Sequence, residues 1–208
     1  MIDEILLNFV VESTIHFDES HNHVHALKVT HNAHIIMASI KKDYDKKLLT
    51  YIAMLHDVCD HKYPNSISKE KLSNFIKLNL SVIKEPIVMK IIDNISFSKE
   101  DKGLRDDITE PYNYYLLAVS DADRLEALGQ VGIDRCIEFT RSKGRRVPLL
   151  GALASDLNSR VPEDVIVHCH EKLLRLVPEF FIKTEIARKM AGPLHDEIYK
   201  YVVDNSHV

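Results

Sequence analysis

Apolar residues recur at intervals of three and four along most of the chain, which is the spacing of one buried face of an α-helix. The clearest stripe lies between residues 21 and 42 and consists of Ala26, Val29, Ala33, Ile36, Met37 and Ile40. The strict alternation that is typical of half-buried strands is rare, and only 6 glycines and 7 prolines interrupt the chain. The pattern therefore predicts an all-α fold.

Polar breaks divide the predicted helical regions. After a first helix near the N-terminus, we expect helices at 21–42, 46–58, from Ser68, from Pro86, at 112–125, 133–141, and at about 162–176, 178–190 and 193–203. The polar segment 98–107 is predicted to be a surface loop. Because no segment is long enough to act as a linker, we expect one domain over 1–208, a helical bundle with a core at about 20–141 and additional C-terminal helices at about 149–205.

Composition narrows the class of protein further. Hydrophobic residues make up 45% of the chain and charged residues 28%, and the net charge of −4 does not indicate a concentrated basic surface. The N-terminal segment carries acidic residues early and lacks the basic region of a signal peptide. No apolar run approaches the roughly 18 residues of a membrane span. We therefore expect neither a nucleic-acid partner nor a membrane segment.

The cysteines indicate the redox state of the cellular compartment. Cys59, Cys136 and Cys169 are odd in number and form no C-x-x-C pair, so a disulfide framework is not expected. Unpaired thiols are typical of a reducing environment, and the sequence therefore predicts a cytoplasmic protein. These features leave the oligomeric state open, with a homodimer as one option.

Histidine is frequent, with 12 residues in the chain, and some histidines stand beside apolar helical runs. His25 lies next to the stripe described above, and His56-Asp57 ends another apolar run. Asp121 and Asp123 directly follow a third. Helix bundles build metal sites from side chains that project inward from facing helices. Two imidazoles and two carboxylates suit Mn, Mg, Co, Fe or Ni with open positions better than a closed structural zinc site.

Each of these residues also has an ordinary structural explanation. His25 can be a core histidine, His56 and Asp57 can cap a helix, and the aspartates can be solvated. These explanations do not account well for all of the residues together, because a buried carboxylate needs a partner. Spacing does not choose between Asp121 and Asp123, since both follow apolar residues one helical turn earlier.

Three segments carry a characteristic order of residues, H…HD…D. They are SHNHVHALKV at 20–29, LHDVCDHK at 55–62 and SDADRLEALG at 120–129. In these segments the chain resembles the HD-domain metal-dependent phosphohydrolases, and among them it is most similar to the YedJ-like subgroup. The resemblance extends from about residue 20 to 141 and more loosely beyond, and it implies an HD-type helical bundle.

The resemblance implies a set of metal ligands, namely His25, His56, Asp57 and Asp123. Asp123 is preferred as the last ligand because it directly precedes a basic residue and a leucine, as in the family, and Asp121 is the second choice or an acceptor behind the ligands. The segment 94–98 lacks the additional histidines of two-metal members. One divalent ion is therefore expected.

The predicted chemistry uses residues around this ion. Asp57 holds the ion, and Asp60 is placed to orient or deprotonate a metal-activated water if its helix continues for one more turn. Lys62 and Arg124 are candidates for substrate binding, because cations stabilise charge on phosphoryl oxygens. His21 is a third candidate for substrate contact. Each of these residues has a surface or packing role as the alternative.

The predicted function is hydrolysis of a phosphoester or phosphoanhydride bond in a small phosphorylated metabolite, with a nucleotide as the preferred class. Phosphatase and nucleotide pyrophosphohydrolase activities both remain open. The alternative is a non-catalytic helical sensor that binds a metal ion or a nucleotide, although the intact ligand set counts against it. The basic segment 143–148 is predicted to be a solvated turn, with phosphate contact as a second option.

Overall fold

The computed structural model describes residues 2–18, 21–41, 43–142 and 165–206. Its helices are α1 (Glu4–Thr14), α2 (His23–Ile40), α3 (Lys46–Leu55), α4 (Lys69–Asn79), α5 (Glu85–Asn94), α6 (Phe97–Asp101), α7 (Asn113–Glu126), α8 (Gly129–Ser142), α9 (Val165–Glu171) and α10 (Glu185–Ser206), with a 3₁₀ turn at Leu173–Arg175. No strand occurs within these described ranges. The all-α prediction is confirmed.

The chain forms two compact units, Met1–Asp123 and Arg124–Val208, and the boundary between them falls inside α7. The expectation of a single domain over the whole chain stays a prediction. The basic segment 143–148 and the start of the predicted C-terminal extension, up to residue 164, lie outside the described residues. No helix in the described part of the chain is long and apolar enough to cross a membrane.

The first unit is organised around α3, which is buried on nearly all sides. Seven of its ten residues are buried. It packs against α1, α2 and α5, and α4 packs against α5. A short helix surrounded by apolar side chains gives a rigid support for the residue that follows it. That residue is His56.

Polar side chains define where the helices of this unit begin. In each of the helices α1 to α4, a backbone N–H of the first turn donates a hydrogen bond to the side chain of the residue just before the helix. These capping residues are, in order, Asp3, Asn22, Asp45 and Ser68. Such caps satisfy N–H groups that have no partner inside the helix. Pro86 lies in the first turn of α5, as predicted, because proline lacks the N–H that this turn leaves unused.

Two predicted helices are shorter in the structure. The helix expected at 21–42 begins at His23, since Asn22 takes the cap position, and it ends at Ile40. The helix expected at 46–58 ends at Leu55. After Leu55 the backbone forms turn-type bonds from Val58 N–H to the Leu55 carbonyl and from Asp60 N–H to the Asp57 carbonyl. The segment 98–107, predicted as a loop, contains most of α6.

The second unit contains α8, α9 and α10, which pack against one another. Residues 185–190 of the helix predicted at 178–190 and the helix predicted at 193–203 form one helix, α10, with Pro193 inside it, whereas residues 178–184 are not helical. A proline removes one backbone hydrogen bond, but Ala191 and Ile198 on either side of it are fully buried and hold the helix together by packing. The helix predicted at 133–141 begins earlier, at Gly129, whose φ of 68° suits glycine.

The three cysteines all lie in the described ranges, and they form no disulfide. This agrees with the prediction from their number and spacing.

Candidate metal centre

The start of α2 determines the position of His25. The Asn22 side-chain oxygen accepts hydrogen bonds from the N–H groups of Val24 at 2.8 Å and His25 at 3.4 Å. This cap places His25 in the first turn of the helix, with a side chain that is 3% exposed. The imidazole is therefore fixed by the cap and by burial.

The end of α3 determines the position of His56. Its Nδ1 donates a hydrogen bond to the carbonyl oxygen of Ala53 at 2.7 Å, and its side chain is 1% exposed. Because Nδ1 carries the proton in this bond, the neutral ring has its lone pair on Nε2. A histidine whose Nδ1–H is held by a backbone carbonyl is arranged to bind a metal ion through Nε2.

Two carboxylates face the two imidazoles. Nε2 of His56 lies 3.2 Å from Oδ2 of Asp57 and 3.7 Å from Oδ1 of Asp123. Nε2 of His25 lies 3.6 Å from Oδ2 of Asp57 and 3.3 Å from Oδ1 of Asp123. One ligand atom from each of the four residues lies within 4.8 Å of the others. The structure thus brings together the four residues that the sequence singles out.

The spacing of these atoms fits a divalent cation. An ion with bonds of about 2.1 Å separates neighbouring ligand atoms by about 3.0 Å in octahedral geometry and about 3.4 Å in tetrahedral geometry. Within the described residues, neither ring nitrogen of His25 has a hydrogen-bond partner, and neither does Nε2 of His56. A buried lone pair beside carboxylate oxygens needs positive charge between them. The donor set therefore fits a metal ion.

The electrostatics of the cluster favour positive charge at its centre. Burial lowers the pKa of His25. Burial opposes ionisation of His56 too, but the charges of Asp57 and Asp123 outweigh it and raise the pKa of His56 well above its ordinary value. Burial alone would raise the pKa of Asp57, yet the charge of His56 holds that pKa well below its ordinary value. Either a proton or a metal ion at the centre of the cluster would supply the positive charge that the carboxylates of Asp57 and Asp123 attract.

The cluster opens toward solvent on its carboxylate side. The side chains of Asp57 and Asp123 are 24% and 34% exposed, whereas both imidazoles are almost fully enclosed. An ion held here would have protein nitrogens behind it and accessible positions in front. Open positions are typical of catalytic sites and not of closed structural sites.

Solved structures of similar fold are known. A Lactobacillus plantarum protein superposes with a TM-score of 0.75 at 23% identity, over 98% of this chain and 96% of that chain. An HD-superfamily hydrolase from Bacillus thuringiensis superposes with a TM-score of 0.66 at 24% identity, over 96% of this chain and 92% of that chain. No protein-family model matches the sequence.

A sequence relative decides the family. YpgQ of Bacillus subtilis is 30% identical over 165 residues, which are 78% of this chain and 72% of YpgQ. The structure of YpgQ in complex with ADP superposes with a TM-score of 0.68 at 25% identity, over 95% of this chain and 92% of that chain. The chain belongs to the HD-domain superfamily. Its assignment to the YedJ-like subgroup stays a prediction.

Two other residues predicted for this HD-domain site lie in the turns after α3. Asp60 does not extend the helix, because α3 ends at Leu55, so the geometric reason for placing it beside a metal-activated water is wrong. Its carboxylate accepts a hydrogen bond from the Lys62 N–H at 2.9 Å and lies 3.3 Å from Lys62 Nζ. The Lys62 side chain is 59% exposed. The roles of Asp60 in catalysis and Lys62 in substrate binding stay predictions.

The acidic and basic residues of α7 differ in their surroundings. Asp123 belongs to the four-residue cluster, whereas Asp121 is fully buried and is not a member of it. Arg124 is also buried, and its guanidinium donates a hydrogen bond to the backbone carbonyl of Phe181. The guanidinium carbon lies 5.9 Å from the centre of the Phe181 ring. These contacts favour a packing role for Arg124, and its substrate contact stays a prediction.

His21 lies just before α2 and contacts two residues that the sequence analysis missed. Its Nδ1 lies 2.8 Å from the hydroxyl of Tyr63 and 3.2 Å from Oδ1 of Asp18. The His21 ring centre lies 6.1 Å from that of His25, so this group adjoins the cluster. Asp18 stands in a turn and Tyr63 in a loop, and neither position carries a periodic signal. The role of His21 in substrate binding stays a prediction.

Proposed function

We propose that this HD-domain protein is a metal-dependent phosphohydrolase that acts on a small phosphorylated metabolite, with a nucleotide as the preferred class. The observation that carries the proposal is the pair of enclosed Nε2 atoms, on His25 and His56, that face two carboxylates without a hydrogen-bond partner among the described residues. Such a pair is arranged to hold a cation.

In this proposal His25, His56, Asp57 and Asp123 hold one divalent ion, which is Mn, Mg, Co, Fe or Ni. A divalent ion bound by such a set polarises a phosphoryl oxygen and lowers the pKa of a water. The more exposed side of the cluster, formed by Asp57 and Asp123, admits the substrate. The enclosed imidazoles exclude bulk water from the opposite side.

Two residues of the following turns complete the proposed chemistry. The Asp60 carboxylate orients the attacking water and accepts its proton. Lys62, whose ammonium is largely exposed and lies 3.3 Å from Asp60, places positive charge near the phosphoryl oxygens. Both residues belong to the turns that follow Asp57, a proposed ligand of the ion.

The preference for a nucleotide is supported by a relative. YpgQ, which shares the fold and 30% of its residues over the matched segment, has been crystallised in complex with ADP. Removal of a terminal phosphate and cleavage between phosphates give different products, so one assay distinguishes them.

A substrate screen tests the proposal. The purified protein is incubated with Mn²⁺, Mg²⁺ or Co²⁺ and a panel of nucleoside mono-, di- and triphosphates, and phosphate and pyrophosphate are measured. We expect release of one of these products, loss of release in Asp57→Ala, and normal release in Asp93→Asn. Asp93 is the matched control, since it forms an exposed ion pair with Lys69. No product with any metal and nucleotide would contradict the nucleotide proposal.

The same assay separates an enzyme from a sensor. Product in excess of one equivalent of protein excludes a protein that only binds. A nucleotide that binds in equilibrium dialysis, without any product over prolonged incubation, would favour the sensor.

A further inference from the structure

Asp18, Tyr63 and His21 form a hydrogen-bonded group beside the metal ligands. The Tyr63 hydroxyl lies 2.6 Å from Oδ2 of Asp18 and 2.8 Å from Nδ1 of His21, and His21 Nδ1 lies 3.2 Å from Oδ1 of Asp18. The ring of Phe17 stacks on Tyr63 with 4.0 Å between centres. Three contacts between three side chains, together with this stacking, restrict the orientation of each side chain.

The protons in this group can be assigned from the acceptors. Tyr63 has one hydroxyl proton, and the ionised Asp18 can only accept, so the 2.6 Å contact requires that Tyr63 donate to Asp18. The hydroxyl oxygen then accepts from His21, and Nδ1 must carry a proton. A proton on Nδ1 also suits its 3.2 Å contact with the second Asp18 oxygen. The neutral ring therefore has its lone pair on Nε2.

The tyrosine keeps its proton in this environment. Burial raises the pKa of Tyr63, and the nearby carboxylates of Asp18, Asp60 and Asp57 raise it further. The 6.1 Å separation of the His21 and His25 ring centres places the group next to the cluster. The orientation of His21 is thus set within reach of the metal ligands.

We propose that Asp18 and Tyr63 are positioning residues, which hold His21 in the Nδ1–H tautomer so that Nε2 accepts a hydrogen bond from an O–H group of the substrate or the attacking water. Because Asp18 and Tyr63 both contact Nδ1 of His21, Nε2 of the same ring points away from these two residues. Only the kinetic consequence of this proposal rests on the proposed phosphohydrolase activity.

A nitrogen NMR measurement tests the tautomer without any assay of activity. Long-range ¹H–¹⁵N spectra are recorded on the protein loaded with Mg²⁺, above the ordinary pKa of histidine, and the His21 signals are assigned by their loss in His21→Gln. We expect the Nδ1–H tautomer in the wild type and a shift toward Nε2–H in both Tyr63→Phe and Asp18→Asn. A wild-type ring with its proton on Nε2, or unchanged signals in both variants, would overturn the proposal.

Tyr114→Phe is the matched control. Its hydroxyl also donates to an acidic side chain, Glu110, at 2.8 Å, but on an exposed surface. We expect this variant to leave the His21 signals unchanged. Loss of the Nδ1–H tautomer in Tyr114→Phe would show that the shift is a general response to removing a tyrosine hydroxyl, and it would overturn the assignment to Tyr63.

Kinetics test the consequence for the reaction. With the substrate found in the screen, we expect Tyr63→Phe and Asp18→Asn to lower kcat/KM by about tenfold, the size typical of residues that orient a site residue. Metal content should equal that of the wild type, since neither residue is a ligand. Loss of the ion together with activity would overturn a positioning role. If the wild type has no activity, the proposed function fails, while the NMR result still decides the tautomer.

Discussion

His56 donates Nδ1–H to the carbonyl of Ala53 at 2.7 Å, and this bond leaves Nε2 to face Asp57 at 3.2 Å. The acceptor Ala53 lies in the last turn of α3 and the donor His56 directly follows the helix, so the geometry is set locally by the helix end. Because α3 is buried on nearly all sides, the ring has little freedom to turn away. The proposed binding of a single divalent ion at the cluster depends on this orientation.

Replacement of one imidazole should remove the ion. We expect His25→Ala to weaken metal binding by more than about 100-fold, because even residues that only orient a ligand are worth about 10–100-fold. The measurement is metal content after dialysis, together with a titration of the apoprotein with Mn²⁺. His31→Ala is the control, since His31 lies on the exposed face of the same helix. Equal affinity in the two variants would show that His25 is not a ligand.

Two glycines should respond differently to alanine. A Cβ at Gly132 would lie 2.0 Å from the carbonyl oxygen of Ala127, whereas a Cβ at Gly192 meets no atom within 4 Å outside its chain neighbours and the nearby backbone of its own helix. We expect Gly132→Ala to lower the free energy of unfolding by about 2 kcal/mol or more. Gly192→Ala should change it by less than about 1 kcal/mol, because the higher helix propensity of alanine is offset by crowding between its Cβ and the ring of Pro193. Urea unfolding measures both, and similar effects in the two variants would contradict the packing described for Gly132.

The ion pair between Asp45 and Lys84 should make stability depend on pH. Burial opposes ionisation of Asp45, but the hydrogen bonds from Lys84 and the first turn of α3 outweigh it, and the pKa of Asp45 is lowered. A lowered carboxyl pKa stabilises the folded state above the unfolded value of about 3.9, and the contribution is lost as the pH falls through the folded value.

Asp45→Asn isolates this contribution, because asparagine keeps the cap of α3 and loses the charge. We expect the variant to be less stable than the wild type at pH 7 by at most about 1 kcal/mol, since both partners are more than a third exposed. The difference should shrink below about pH 4. Urea unfolding at pH 7 and below about pH 4 measures this difference in stability. Lys84→Met should show the same loss at pH 7 and the same smaller loss in acid. A difference that persists in acid would contradict the ion pair as its cause.

Much of the centre could be predicted from the sequence because its ligands follow apolar runs. His25 lies beside the α2 stripe, His56 follows the buried α3, and Asp123 follows the apolar start of α7. Periodicity therefore placed these residues beside buried runs, and the resemblance to HD-domain proteins selected them as a ligand set. It did not separate Asp123 from Asp121, since both lie one turn after apolar residues, and tertiary packing brings only Asp123 into the cluster.

The features that sequence patterns missed depend on turns and on packing. After Leu55 the helical hydrogen bonds of α3 give way to turn-type backbone bonds, from Val58 to Leu55 and from Asp60 to Asp57, whereas propensity alone allowed one more turn. Pro193 predicted a break, but burial on both sides of it keeps α10 continuous. Tyr63 and Asp18 are 45 residues apart, so only the fold brings their side chains together.

Anomalous diffraction from crystals of the protein grown with Mn²⁺ would locate a bound ion. We predict one peak at about 2.0–2.3 Å from Nε2 of His25, Nε2 of His56 and a carboxylate oxygen of both Asp57 and Asp123, distances typical of nitrogen and oxygen ligands. The same map decides between Asp123 and Asp121. A map without a peak at this cluster, or with the ion bound elsewhere in the molecule, would show that these four residues do not form the metal site.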